Sequence, residues 1–164
     1  MSESRQAHAA RRALSVTEEK EKCMITAKFN ELELLETWAE EDSEIRVKFA
    51  PALSSESGTT STQVVYVNFE PGMRLGRHTH NAEEILLILE GTMELSMGGE
   101  QQQLSAGEVA LIPVGEIHDQ LNVGSETLRC VAFFSSAAVQ HTWEVPLMPI
   151  GSRDFVTPPP EAEE

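Results

Sequence analysis

Two histidines one residue apart, His78 and His80, are followed by Glu84 within the run Gly72 to Gly91, GMRLGRHTHNAEEILLILEG. A third histidine, His118, lies in a second stretch, Gly107 to Asn122, GEVALIPVGEIHDQLN. Three neutral imidazoles and one carboxylate suit Fe, Mn, Ni, Cu or Zn, whereas calcium and magnesium prefer sites built from oxygen alone. An octahedral ion held by these side chains would keep about two open positions for water, dioxygen or substrate. One carboxylate against a divalent ion leaves a formal charge of about +1, which favours a small anionic or enolisable oxygen ligand. A single histidine on a strand is more often a packed or surface residue than a ligand, and His-x-His alone would not decide the matter. Three of the five histidines fall in these two stretches, however, with a glutamate beside them. The other two, His8 and His141, belong to the terminal regions and are expected at the surface.

The elements that must position these groups read as strands. Residues two apart on a strand share a face, so His78 and His80 point the same way. Asn81-Ala82-Glu83 allows a turn, and Glu84 opens a strand that could pair back beside the imidazoles. His118 must arrive from a distant strand, and the turn Pro113-Val114-Gly115 can fold that strand across. Around these pieces runs a train of short β-rich segments split by turn signals: Gln63–Phe69, Met73–His80, Ile85–Leu89, Thr92–Met97, Gln101–Leu104, Val109–Ile112, His118–Asn122 and Leu128–Phe134. Gly98-Gly99 marks a hairpin. The unbroken apolar runs Ile85–Leu89 and Val109–Ile112 read as strands covered on both faces. Upstream, Ile45, Val47 and Phe49 alternate with Arg46 and Lys48 as a half-buried strand. The spacing of Ile25, Phe29, Leu32, Leu35 and Trp38 predicts a short amphipathic helix or turn. Such spacing of strands and turns indicates an all-β sandwich or barrel.

Both motif stretches resemble those of the cupin superfamily. The first has G-x5-H-x-H-x3-E-x6-G at Gly72, His78, His80, Glu84 and Gly91; the second has G-x5-P-x-G-x2-H-x3-N at Gly107, Pro113, Gly115, His118 and Asn122. The resemblance implies a double-stranded β-helix, or jelly-roll, barrel with one divalent metal ion per chain in its mouth. The ligands it implies are His78, His80, Glu84 and His118. Fe(II) or Mn(II) is the expected ion, with Zn, Ni and Cu also compatible. It further implies a homodimer.

The family does not supply a reaction, because one fold hosts many. The completeness of the ligand set points to a metal-dependent enzyme on a small molecule, in the first place a dioxygenase. The alternatives are a non-redox isomerase, decarboxylase or lyase, and a non-catalytic binding or sensing module. Glu84 could stay a ligand or swing off as a base. Arg74, on the His78/His80 face, is a candidate to grip a substrate carboxylate bidentately, although an arginine near a turn is as often a solvated edge residue. Gln120, on the His118 face, is a candidate to hydrogen-bond a ligand or bound water. Ile88, Leu95 and Phe133 are candidate apolar walls, with core packing the alternative for each. Cys130 reads as a small buried hydrophobe.

The rest of the composition bounds what else the chain can do. At 164 residues, 40% of them hydrophobic, it suits one domain with a real core and some unstructured length. Residues 1–22 are expected to be a disordered extension, with Met24 an alternative start, and 23–150 one domain. Residues 151–164, acidic and proline-rich, are expected to be a disordered tail. Trp143, Leu147 and Ile150 are expected on the outside of the barrel or against a partner chain. The formal net charge of −15 speaks against nucleic acid or an anionic membrane as partner. Two distant cysteines, Cys23 and Cys130, make neither a disulfide framework nor a zinc pattern, which fits a reducing, cytoplasmic setting.

Overall fold

The structure is a computed structural model and describes residues 23–158. The chain begins with a 3-10 turn, Phe29–Glu31, within the stretch whose apolar spacing predicts a short helix or turn; Leu35–Trp38 of that stretch is a strand instead. Leu34 breaks the helical stripe, and the segment lies flat on the barrel, with Phe29 stacked on Tyr66 at 4.6 Å between ring centroids. Twelve strands follow among the described residues. They are β1 (Leu35–Trp38), β2 (Arg46–Leu53), β3 (Gln63–Phe69), β4 (His78–His80), β5 (Glu84–Glu90) and β6 (Thr92–Met97). Then come β7 (Glu100–Ser105), β8 (Val109–Ile112), β9 (His118–Asn122), β10 (Leu128–Phe134), β11 (Val139–Leu147) and β12 (Ser152–Thr157).

The strands form two antiparallel six-stranded sheets, ordered β1-β2-β3-β10-β5-β8 and β12-β11-β4-β9-β6-β7. This is the all-β jelly roll that the motif resemblance implies. Strand β12 extends the second sheet through residue 157, in the segment expected to be a disordered tail. Alternation along Ser152–Thr157 is short and weak, so its pairing with β11 decides it rather than its own pattern. Residues 1–22 and the end of the tail lie outside the described residues.

Between the sheets, Phe69, Leu86, Ile88, Met93, Ile112, Leu128 and Cys130 are fully buried. Ile88 and Leu95 belong to this core. Cys130 is the buried hydrophobe expected of it, and burial, with the charge of Glu84 adding, pushes its thiol up. A second cluster joins Trp143 and Leu147 to Ala39 and Ile45. Both residues were expected outside the barrel and are inside it; Ile150 alone stays partly exposed.

The apolar runs in β5 and β8 are covered on one face, not two. Val109 is 62% exposed, Leu111 54%, Ile85 44% and Phe133 41%, so Phe133 is no wall of an interior site. The register places Phe133 opposite Ile85, Ile85 opposite Leu111, and Leu87 opposite Val109. These side chains make one uncharged patch on the outer face of the first sheet, beside the edge strand β8.

Candidate metal centre

Three adjacent strands of the second sheet, β11, β4 and β9, supply most of the site. The register aligns Trp143, His78 and His118 in one row and places His141 opposite His80 in the next. Glu84 comes from the opposing sheet, where β5 pairs with β8 and β10. It therefore reaches the imidazoles across the sandwich, not from a strand paired with β4. The turn after Ile112 carries the chain from β8 in one sheet to β9 in the other, which brings His118 over as expected. All four side chains are buried.

Hydrogen bonding fixes which nitrogen faces inward. Nδ1 of His78 lies 2.7 Å from the Gly76 carbonyl, and Nδ1 of His118 lies 2.9 Å from the Glu116 carbonyl. A carbonyl only accepts, so each Nδ1 carries the proton and each Nε2 presents a lone pair. The two Nε2 atoms are buried with no hydrogen-bond partner among the described residues, as are both ring nitrogens of His80 and Oε2 of Glu84. His80 is held instead by packing, edge-on to His141 at 4.6 Å and to Phe134 at 4.9 Å between centroids.

Glu84 Oε2 is 3.1 Å from His80 Nε2 and 3.3 Å from His118 Nε2. Donor atoms of His78, His80 and His118 lie within 4.8 Å of one another. Acceptors packed this closely repel unless a cation, proton or metal, sits among them. Burial opposes ionisation of Glu84, but the ring nitrogens of His118 and His80 close beside it outweigh burial and hold the carboxyl well below the usual range. The donor set, its orphaned atoms and the carbonyl-anchored tautomers fit a transition-metal ion, with Nδ1–H bonds behind two ligands as such ligands commonly have.

Asp119 organises the backing of the site. Its Oδ1 accepts from the backbone N–H of Gly76 at 2.9 Å and of Gln120 at 2.8 Å. Gly76 in turn offers the carbonyl that anchors His78. Gly76 has φ +87°, and a Cβ there would stand 2.9 Å from Ile45 Cδ1, so only glycine suits the position. That left-handed residue interrupts the alternation between Arg74 and His78. Strand β4 begins only at His78, and Arg74 does not share the site's face. Its guanidinium pairs with Asp119 at 2.8 Å and with Asp42. It braces the support of the site instead of gripping a substrate carboxylate.

The cavity beside the cluster has a volume of about 40 Å³. Gln120 lines it, as expected, with His80 and Glu84. Among its other walls, Trp143, Phe134, Phe155 and His141 were not foreseen. His141 is buried, not at the surface. The alternation Val139, His141, Trp143 was the signal available, since these residues share one strand face, and all three are buried. Trp143 stacks on His78 at 4.9 Å and donates its indole N–H to the Leu75 carbonyl at 3.0 Å.

Residues 65–134 match the family model described as Cupin domain. Polyketide synthase CurC of Streptomyces cyaneus is 34% identical over 82 residues, covering 49% of this chain and 53% of that protein. The chain spans about half or less of the length of the curated relatives it matches. Among solved structures, the polyketide cyclase RemF from Streptomyces resistomycificus has a TM-score of 0.58 at 20% identity, over 68% of this chain and 79% of that one. That likeness is one of fold. Recombinant oxalate oxidase in complex with glycolate has a TM-score of 0.52 at 26% identity, over 57% of this chain and 53% of that one.

Two measurements follow from this geometry. Burial pushes His78 and His141 well below the usual histidine range, with the charges of neighbouring imidazoles adding to it. Both are neutral when folded and take up a proton near about pH 6.5 when unfolded. Their contribution to the stability of the metal-free protein is therefore complete above that pH and lost below it. Denaturation of metal-free protein at a series of pH values should show stability falling by up to about 1.4 kcal/mol per pH unit for each histidine; a flat profile between about pH 6.5 and 5 would contradict the assignment. Separately, Asp119→Ala leaves every ligand in place but frees Gly76. Competition with a chelator should show metal affinity weakened about 10-fold or more, and unchanged affinity would remove Asp119 from its supporting role.

Proposed function

We propose that this chain, which carries a cupin domain, is a metal-dependent enzyme that oxidises a small anionic or enolisable molecule with dioxygen. The observation that carries the proposal is the convergence of imidazole lone pairs and the Glu84 carboxylate on one buried point beside a cavity. A divalent ion bound there, Fe(II) or Mn(II) in this proposal, supplies Lewis acidity and redox capacity. The chain's own residues do the rest. Neutral His78, His80 and His118 leave Glu84 as the one formal negative charge, so the loaded site keeps a net positive charge for an anionic ligand. Phe134, Trp143 and Phe155 narrow the cavity and exclude bulk water, which strengthens the electrostatic contacts inside. Gln120 presents an amide N–H to whatever oxygen binds beside the ion.

A second reading keeps the ion and drops dioxygen: isomerisation, decarboxylation or lyase chemistry through an enolate. The similarity of about half the chain to a relative described as a polyketide synthase supports it. Elemental analysis of purified protein, followed by oxygen uptake with small diketones, catechols and keto acids, tests both. The first reading expects about one divalent ion per chain and uptake that His118→Ala abolishes. Turnover that continues unchanged under argon would sink the first and leave the second. Fully metallated protein that turns nothing over would favour a binding module.

For the outer patch of Ile85, Leu111, Val109 and Phe133 we propose a second copy of the chain as the occupant. In a chain of net charge −15, an uncharged patch is where two copies can approach without repulsion. A two-fold contact would also bury the free edge of β8. Light scattering on the eluting protein should report a dimer, and Leu111→Glu a monomer; a wild-type monomer at micromolar concentration would refute it.

A further inference from the structure

Two polar atoms on the cavity wall serve neither the fold nor the ligand cluster. Nδ1 of His141 and Nε2 of Gln120 are buried and without a hydrogen-bond partner among the described residues. Both side chains line the cavity that His80 and Glu84 line. Leaving a buried polar atom unsatisfied is costly, and a pair of them beside a donor cluster points to a ligand that satisfies both.

With Gln63 placing its Oε1, not its Nε2, against Thr157, the hydrogen-bond chain behind His141 sets which polarity it offers. Thr157 Oγ1 donates its proton to Gln63 Oε1 at 2.8 Å. Toward His141 Nε2, 2.6 Å away, the same oxygen can therefore only accept. Nε2 of His141 carries the proton, and Nδ1 is left as a bare acceptor. Nε2 of Gln120 is a donor and nothing else. The cavity thus asks its ligand for one hydroxyl donor and one acceptor oxygen.

Charge narrows the class further. No lysine or arginine lines the cavity among the described residues. Arg74 is taken up by Asp42 and Asp119, and Arg77, next to His78 in sequence, by Glu144. Only the metal-loaded cluster, at a formal charge of about +1, can meet a negative charge. A second carboxylate or a phosphate dianion would be buried without a counter-charge, which is strongly unfavourable. The volume of about 40 Å³ admits few heavy atoms.

We propose that the site takes a compact monoanion with a hydroxyl beside its charged group, of the 2-hydroxy acid kind, and that His141 is the residue that reads the hydroxyl. The hydroxyl donates to His141 Nδ1, and an oxygen of the ligand accepts from Gln120 Nε2–H. This rests on the metal reading above, which supplies the positive charge. The same walls select against dicarboxylates.

Calorimetric titration of Mn(II)-reconstituted protein with glycolate, acetate and oxalate tests it. Glycolate should bind about 10-fold tighter than acetate, as one added hydrogen bond to a buried acceptor warrants, and tighter than oxalate. In His141→Phe the preference for glycolate over acetate should shrink to within about twofold while acetate binding is kept. Equal binding of glycolate and acetate by the wild type, a preference that survives in the variant, or tighter binding of oxalate would each overturn the proposal alone. Protein that takes up no Mn(II) would overturn the metal reading and this proposal together. A measurement free of any variant stands beside these: 15N chemical shifts of His141 in the metal-free protein should show the proton on Nε2, and a proton on Nδ1 of the neutral ring would overturn the assignment of its acceptor.

Discussion

Lone pairs of His78 and His118 and the carboxylate of Glu84, crowded into a space that water barely enters, repel one another. A fold can hold them there only if something positive shares the space, and much else in the structure serves that crowding. The imidazoles come from one sheet and the carboxylate from the other, so the site spans the sandwich and depends on the two sheets staying packed. Phe69, Leu86 and Ile88 in the core are therefore as much a part of the site's geometry as the ligands are.

Behind the ligands lies a frame of backbone contacts organised by one carboxylate. Asp119 joins Gly76, Gln120 and Arg74, and Gly76 passes the constraint on to His78 through its carbonyl. His118 is anchored separately through Glu116. His80 has no such tether among the described residues and relies on the rings of His141 and Phe134. The ligands are thus positioned in two ways, by hydrogen bonds that set a tautomer and by aromatic packing that sets only a plane. Both demand exact neighbours, and Trp143, stacked on His78, belongs to the second kind.

The chain divides its apolar surface in a way its composition conceals. Along β5, Leu86 and Ile88 face the core while Ile85 faces out, so a run that looks uniformly hydrophobic carries two jobs. The inward residues form the core of the sandwich. The outward ones, with Val109, Leu111 and Phe133, leave an uncharged patch on an otherwise strongly acidic chain. Hydrophobicity alone cannot tell a strand covered on both faces from one whose outer face stays exposed.

Residue type and spacing in His78-x-His80, Glu84 and His118 were enough to announce a candidate metal cluster, because imidazole and carboxylate chemistry is local to the side chain and period-two alternation is local to the strand. Most strand limits were legible for the same reason, from Gln63–Phe69 to Leu128–Phe134. Everything that depended on chain reversal or long-range pairing was not. A left-handed Gly76 turned Arg74 from a presumed substrate grip into a brace on Asp119. Pairing with β4 drew β11 inward and made buried wall residues of His141 and Trp143, which their place near the end of the chain had suggested were peripheral. Side-chain chemistry and local periodicity are written residue by residue; which distant strand lies alongside, and so which side chains share a cavity, is settled only when the sheets close and bury their common face.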